Sequence, residues 1–238
     1  MQTNLTFSGP GTTQDESLVR PLLEHAWDVV GAEFKNRNAP NVLLSSNWTI
    51  VWHGAADYAR MQGQMCVRTN IGSTTLHILA PSAYPDQKPG AFPAAYPGTW
   101  HQKNLIHECT SAFMFHYPAP NPRWDLEHGS PDWFREGLQE VVAIERSPAN
   151  VRDEYRARYT KRDVSRTVDC EFASVGEKYL DGYLILRFLY EEFGPVRVHR
   201  ILDRSEATFW ETVRVSLGVG RTHLFERWRQ WAGRNTRP

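Results

Sequence analysis

The sequence has only three cysteines among its 238 residues, Cys66, Cys109 and Cys170. Their wide spacing matches neither a disulfide framework nor a Cys-x-x-Cys metal knuckle, so we expect a reducing, cytoplasmic compartment. An excess of one charge is also lacking, because basic and acidic residues number 27 each. Without a net positive charge, the chain has no overall attraction to nucleic acid or to an anionic membrane, and we expect neither as a partner.

Long hydrophobic runs are absent as well. No stretch approaches 18 consecutive apolar residues, so we expect no transmembrane helix. Residues 1–17 lack both a basic region and an apolar region, so we expect no signal peptide. What the chain does contain is 41% hydrophobic residues and nine tryptophans, which is typical of a folded protein of one large domain or two small ones.

The first hundred residues carry the signals of one helix and a small sheet. Apolar residues recur at helical spacing through residues 17–35. Residues 42–52, 60–69 and 74–80 are rich in β-branched and aromatic side chains, which is typical of strands. We therefore predict an α+β fold with a small, mainly antiparallel sheet on which the helix packs.

The second half is dominated by helical periods. We predict helices at residues 175–193, 196–202, 206–217 and 222–231, so that residues 1–116 form an N-terminal α/β lobe and residues 117–238 a helical lobe. Residues 150–169 are rich in charges of both signs and predict a solvated surface excursion. Residues 81–98 contain five prolines and predict a long irregular loop, which would form a wall or lid beside the following helix.

The most informative stretch is Leu-Ile-His-Glu-Cys-Thr-Ser-Ala-Phe at residues 105–113, inside a helix predicted over residues 100–116. Helix geometry puts His107 and Ser111, four residues apart, on one face, with Glu108 beside them. In the zinc-peptidase pattern His-Glu-x-x-His the two histidines bind the metal, and the glutamate takes a proton from metal-bound water. Here Ser111 stands at the position of the second histidine.

A second helix is predicted from residue 131, with Pro131 suited to its first turn and Ser130 to its cap. Its Glu136 would supply the carboxylate of a two-histidine, one-carboxylate zinc site that keeps one position open for water. Glu140 lies one turn further along and faces the same way, so the spacing alone leaves open which of the two carboxylates is the ligand.

These two motifs, and Asp-Gly-Tyr-Leu-Ile-Leu-Arg-Phe-Leu at residues 181–189, resemble the gluzincin superfamily of zinc metallopeptidases, and its basic secretory protein branch in particular. The resemblance covers about residues 74–233. It implies a zincin-like fold with a catalytic cleft between two lobes, Glu108 as the general base, and His107 and Glu136 as metal ligands. It also implies a peptide or small amide substrate.

The resemblance implies further site residues. The strand at residues 74–80 would be the sheet edge that holds an extended substrate by backbone hydrogen bonds, which makes Thr75 and His77 substrate-binding candidates. The resemblance makes Tyr179 or Tyr183 the donor to the oxyanion. The basic secretory branch also carries an acidic residue at the position of Glu140, which therefore joins Ser111 among the substrate-binding candidates.

The missing histidine leaves three outcomes open, because a serine hydroxyl is a poor zinc ligand. Another histidine would complete a modified zinc site, with His128, His101 and His116 as candidates in that order. Alternatively, Glu108 would act as a metal-free acid–base group in an elimination, isomerisation or cyclisation. Or the fold would be a retired peptidase that only binds. The metal-assisted hydrolase is the first expectation, and the oligomeric state stays open.

Overall fold

The computed structural model of this chain describes residues 5–45, 47–57, 67–69, 74–83, 99–161 and 175–236. The chain divides into two compact units. The first consists of Met1–His116 with Glu145–Val151, and the second of Tyr117–Ile144 with Arg152–Pro238. The fold is a mixture of helices and one small sheet, as the α+β prediction has it, and most of it is helical.

In the described residues before Tyr117, the first unit has helices α1 (Thr13–Glu33), α2 (Ala39–Leu44) and α3 (Thr99–His116). Helix α1 begins earlier than predicted because a capping box stabilises its first turn. The backbone N–H of Asp15 donates to Thr12 Oγ1, and the backbone N–H of Thr12 donates to the Asp15 carboxylate. Helix α2 replaces the first part of the strand predicted at residues 42–52, because a proline in its first turn favours helical backbone.

Where the structure describes the sheet, it has four strands, β1 (Leu5–Ser8), β2 (Trp48–His53), β3 (Val67–Thr69) and β4 (Thr75–Leu79), in the order β1-β2-β4-β3. The prediction of a mainly antiparallel sheet is wrong, since β1–β2 and β2–β4 are parallel and only β3–β4 is antiparallel. Parallel neighbours need a long crossover, and α1 and α2 supply the one between β1 and β2. The prediction that β4 is the sheet edge is also wrong, because β4 lies between β2 and β3.

The two faces of the sheet differ in polarity. One face carries the buried side chains Trp48, Ile50, Trp52, Leu76 and Ile78. It packs on the helices: the Trp48 ring lies 5.8 Å from that of Trp27 in α1, and its Nε1 donates to the Leu43 carbonyl in α2. The opposite face carries the half-buried side chains Thr49, Val51, His53, Thr75 and His77. Polar chemistry in the sheet is therefore concentrated on this second face.

The helices that follow α3 are α4 (Leu126–Gly129), α5 (Asp132–Glu145), α6 (Ala149–Thr160), α7 (Val175–Phe193), α8 (Pro195–His199), α9 (Phe209–Leu217) and α10 (Arg221–Asn235). The bounds of α7 are those predicted. Helix α6 forms the first part of the charged segment predicted as a solvated surface excursion: Val151 and Tyr155, one turn apart, are buried, whereas its other described side chains are exposed or half-buried.

Several predictions concern residues outside those described. They are the strand signal at residues 60–66, the main part of the proposed lid at residues 84–98, the charged residues 162–169, and the two cysteines Cys66 and Cys170. Cys109 is described, and it is a free, buried thiol. Among the described helices, none is both long enough and apolar enough to cross a lipid bilayer.

Candidate acid–base site

Helix α3 is held in the first unit by its apolar face. Ile106, Cys109 and Phe113 are fully buried, and the Phe113 ring lies 4.7 Å from that of Phe34. Burial raises the pKa of the Cys109 thiol, and the charge of neighbouring Glu108 raises it further. Cys109 is therefore an apolar packing residue, as its place on this face predicts, and not a nucleophile.

The motif residues lie on a second, polar face of α3. His107 and Ser111 are both 8% exposed, and Glu108 is half-buried. Lys103, one turn before His107 and on the same face, is only 1% exposed. Side chains one helical turn apart are about 5–6 Å apart at Cβ, so a buried lysine is the immediate neighbour of the predicted zinc ligand. We call Lys103, His107 and Ser111 the α3 polar stripe.

Glu136 also has a lysine as its neighbour. Lys178 Nζ, in α7, donates to Glu136 Oε1 at 2.9 Å, and both side chains are 17% exposed. Lys178 Nζ lies 3.9 Å from Asp132 Oδ2 as well. The carboxylate that the resemblance assigns to zinc is therefore neutralised by a cation within its own unit.

Two glycines explain why this ion pair forms. A Cβ atom on Gly137 would lie 2.4 Å from the Gly182 carbonyl oxygen, and one on Gly182 would lie 2.7 Å from the Trp133 carbonyl oxygen. Helices α5 and α7 therefore approach each other to backbone contact, which only residues without a Cβ allow. Glu136 precedes one of these glycines directly, and Lys178 lies one turn before the other, so the crossing brings the two charges together.

The residues present do not fit the zinc centre that the resemblance implies. Ser111 offers a neutral hydroxyl, Glu136 is engaged by Lys178, and the buried Lys103 lies one helical turn from His107. Within the described part of the chain, no group of three or more histidine, cysteine, aspartate and glutamate side chains is arranged to hold a metal ion.

The predicted replacement histidines have different surroundings. His128 is 80% exposed in α4 and forms an ion pair with Asp125, and that hydrogen bond raises the pKa of His128. The ring of His116 stands edge-on to Trp48, with the ring centroids 6.1 Å apart. The side chain of His101 lies outside the described residues. The roles predicted for these histidines as replacement ligands stay predictions.

The remaining candidates of the second unit have different environments. Tyr183 is fully buried, whereas Tyr179 is half-buried with Lys178 Nζ 5.2 Å from its ring centre. Glu140 is 2% exposed. Burial raises the pKa of the Tyr155 phenol, and the charge of Glu140 raises it further, so these two groups are neighbours. The roles predicted for both tyrosines and for Glu140 stay predictions.

The polar face of the sheet contains a cluster that the sequence did not indicate. His77 Nδ1 lies 2.9 Å from His53 Nε2, and His53 Nδ1 lies 3.2 Å from Asp57 Oδ2. Only His77 and Thr75 of this face were predicted as site residues, from the resemblance. His53 was missed because its proximity to His77 follows from the pairing of β2 with β4 and not from a sequence motif.

Three comparisons with known proteins, against family models, curated proteins and solved structures, give no match for this chain.

Proposed function

We propose that the chain is a gluzincin-related, zincin-like protein in which helix α3 works without zinc and Glu108 is the acid–base group. Of the outcomes that the missing histidine leaves open, the Glu136–Lys178 ion pair favours this one. A carboxylate that accepts from an ammonium group at 2.9 Å has given part of its lone-pair capacity to that cation. The modified zinc hydrolase would have to share this carboxylate between the metal and Lys178.

The chemistry that this arrangement supports is proton transfer. Glu108 is half-buried, and a carboxylate partly shielded from water is a suitable base for a proton next to a carbonyl group. Lys103 and His107 lie on the adjacent face of the same helix, where a cation and an imidazole can stabilise the negative charge that develops on the carbonyl oxygen. We propose an elimination, isomerisation or cyclisation of a peptide or small amide-containing substrate.

The proposal includes a reducing, cytoplasmic location and a substrate that is neither nucleic acid nor lipid. It rests on the balanced charge of the sequence and on three separated cysteines, of which Cys109 is a buried free thiol. Thr75, His77 and Ser111 keep the substrate-binding roles given by the resemblance. Strand β4 lies inside the sheet, so its backbone is not an edge to which an extended peptide could add. Among the described strands, β3 lies outside β4 and forms that edge of the sheet.

The test is Glu108→Gln, which preserves shape and removes the base. Turnover of peptides and acylated amino acids is followed by mass spectrometry. It should fall by roughly a hundredfold or more in the variant. In the wild type it should be unchanged when metals are chelated. Glu24→Gln, at an exposed carboxylate of α1, is the matched control and should be unchanged. Activity that disappears on chelation and returns with zinc would support the modified zinc hydrolase. Substrate binding without turnover in the wild type would support the retired peptidase.

A further inference from the structure

We propose that His53 and His77 form a binding site for a divalent transition metal on the polar face of the sheet, with Asp57 as the residue that positions His53. This site lies on the sheet and not on the α3 polar stripe, and it goes beyond the proposed function, which uses His77 only to bind substrate. The ligand class is an imidazole-preferring ion, with Cu²⁺ favoured and Ni²⁺ next.

The strands bring the two imidazoles together. In the parallel pairing of β2 with β4, His53 is opposite Leu79 and Val51 is opposite His77. The two histidines therefore point to the same face as diagonal neighbours, a separation that long side chains can span. Their ring centres are 5.2 Å apart, and the nearest ring nitrogens, His53 Nε2 and His77 Nδ1, are 2.9 Å apart.

Asp57 determines which nitrogen of His53 carries the proton. Its Oδ2 lies 3.2 Å from His53 Nδ1, and a carboxylate accepts, so Nδ1 is the protonated nitrogen. His53 Nε2 then presents its lone pair to His77, which donates its own Nδ1–H. A carboxylate on the outer nitrogen of a histidine is the usual arrangement behind a metal-bound imidazole, where it fixes the tautomer and raises the basicity of the ligand.

A metal ion can replace the single proton between the rings. When His77 moves its proton from Nδ1 to Nε2, both facing nitrogens have lone pairs, and no proton has to leave the pair. With metal–nitrogen bonds of about 2.0–2.1 Å, a nitrogen separation of 2.9 Å corresponds to an angle of about 90° at the metal. That angle fits two adjacent positions of a tetragonal Cu²⁺ or Ni²⁺ site and is smaller than the tetrahedral angle that zinc prefers.

The burial of the pair also suits a metal site. The His53 side chain is 13% exposed and His77 is half-buried, whereas the side chain of Asp57 is 40% exposed. The strands thus hold the two imidazoles next to each other and partly shielded from water, and the residue behind them reaches solvent. Ligands that are already neighbours lose less conformational entropy when the ion binds.

The experiment is a titration of the full chain with Cu²⁺ at pH 7.5, by calorimetry with glycine as a competitor and by electron paramagnetic resonance. One equivalent should bind with coupling to two nitrogens. His53→Ala and His77→Ala should each weaken binding at least tenfold, and Asp57→Asn should weaken it by about tenfold because the tautomer is no longer fixed.

The matched control is His128→Ala, which removes an exposed histidine that is also paired with an aspartate and should leave Cu²⁺ affinity unchanged. Circular dichroism checks that each variant folds, and His53→Gln and His77→Gln replace any alanine variant that does not. Binding that is unchanged in the sheet variants, or absent in the wild type, would overturn the proposal and leave a hydrogen-bonded pair. Glu108→Gln should not affect Cu²⁺ binding, so the test is independent of the proposed function.

Discussion

Glu136 in the second unit and His53 in the first are both potential metal ligands, and they differ in the sign of their neighbour. Glu136 accepts from the ammonium group of Lys178, which engages its lone pairs. His53 faces the carboxylate of Asp57, which accepts the hydrogen bond from Nδ1–H and leaves Nε2 as the acceptor that faces His77. The same kind of contact, a charged partner at about 3 Å, thus competes with a metal for one ligand and orients the other.

The comparison shows why a motif and a site are different things. Residues 105–113 and 131–140 resemble the ligand motifs of a zinc peptidase, yet Lys178 places a positive charge beside Glu136, and the buried Lys103 lies one turn from His107. No motif names His53, but the sheet gives it an imidazole and a carboxylate as neighbours. A ligand is therefore judged by its surroundings as well as by its spacing.

The largest expected effect concerns the helix crossing that holds Glu136 beside Lys178. Gly137→Ala places a methyl group 2.4 Å from the Gly182 carbonyl oxygen, so α5 and α7 must separate. We expect the free energy of unfolding to fall by about 3 kcal/mol in urea denaturation.

Gly233→Ala is the matched control, because it lies in α10 with nothing within 4 Å of the added methyl group. It should raise the free energy of unfolding by roughly 0.5–1 kcal/mol, since alanine loses less backbone entropy than glycine in a helix. A Gly137→Ala protein as stable as the wild type would mean that α5 and α7 do not meet at these glycines.

The second prediction concerns Asp15, which anchors the chain just after β4, the strand that carries His77. Its buried carboxylate accepts from the backbone N–H and the hydroxyl of both Thr12 and Ser82, each at 2.8 Å. Asp15→Ala leaves these donors without their acceptor and should cost about 2 kcal/mol of unfolding free energy. Ser17→Ala, whose hydroxyl donates only to the Gln14 carbonyl on the exposed side, should cost much less.

Asp15 also gives the stability a pH dependence. Burial alone would raise the pKa of its carboxyl, but the hydrogen bonds from Thr12 and Ser82 outweigh burial and lower it. A folded-state pKa below the unfolded value means that this stabilisation is complete above the unfolded pKa and is lost as the pH falls from about 4 through the folded value. The unfolding free energy of the wild type should therefore decrease more steeply below pH 4 than that of Asp15→Asn. Parallel curves would contradict the network.

A feature can be predicted from the sequence when neighbouring residues determine it, and not when contacts between distant parts of the chain do. Helix α7 is predicted to the residue, because its apolar period and the Gly194–Pro195 stop are local signals. The parallel order of the sheet is not predicted, because strands of this length carry no local sign of their neighbours. The position of Lys103 beside His107 could have been predicted, since it lies four residues earlier in the same helix. The contacts of Lys178 and His53 could not, because the tertiary fold makes them.

The third prediction tests whether the missing histidine alone limits zinc binding at α3. Ser111→His restores His-Glu-x-x-His, but Lys103 remains next to His107, so we expect zinc affinity by calorimetry to rise less than tenfold. The double variant Lys103→Met/Ser111→His removes that charge and should raise affinity at least tenfold, about 1.4 kcal/mol. Equal gains in the single and double variants would show that the lysine does not act on the stripe.

The smallest expected effect is the coupling between Glu136 and Lys178, on which the comparison of the two ligands depends. A double-mutant cycle with Glu136→Gln, Lys178→Met and both together should give about 1 kcal/mol at low salt, because each side chain is 17% exposed and still partly solvated. The control cycle is Arg187–Glu191, a more exposed pair on the same helix α7, with an expected coupling of about 0.3–0.5 kcal/mol. Added salt should reduce the coupling of the control pair more, because exposed charges are screened more strongly. A coupling of zero for Glu136 and Lys178, with a normal control, would mean that the carboxylate is available to a metal, and the modified zinc hydrolase would again be the better account of α3.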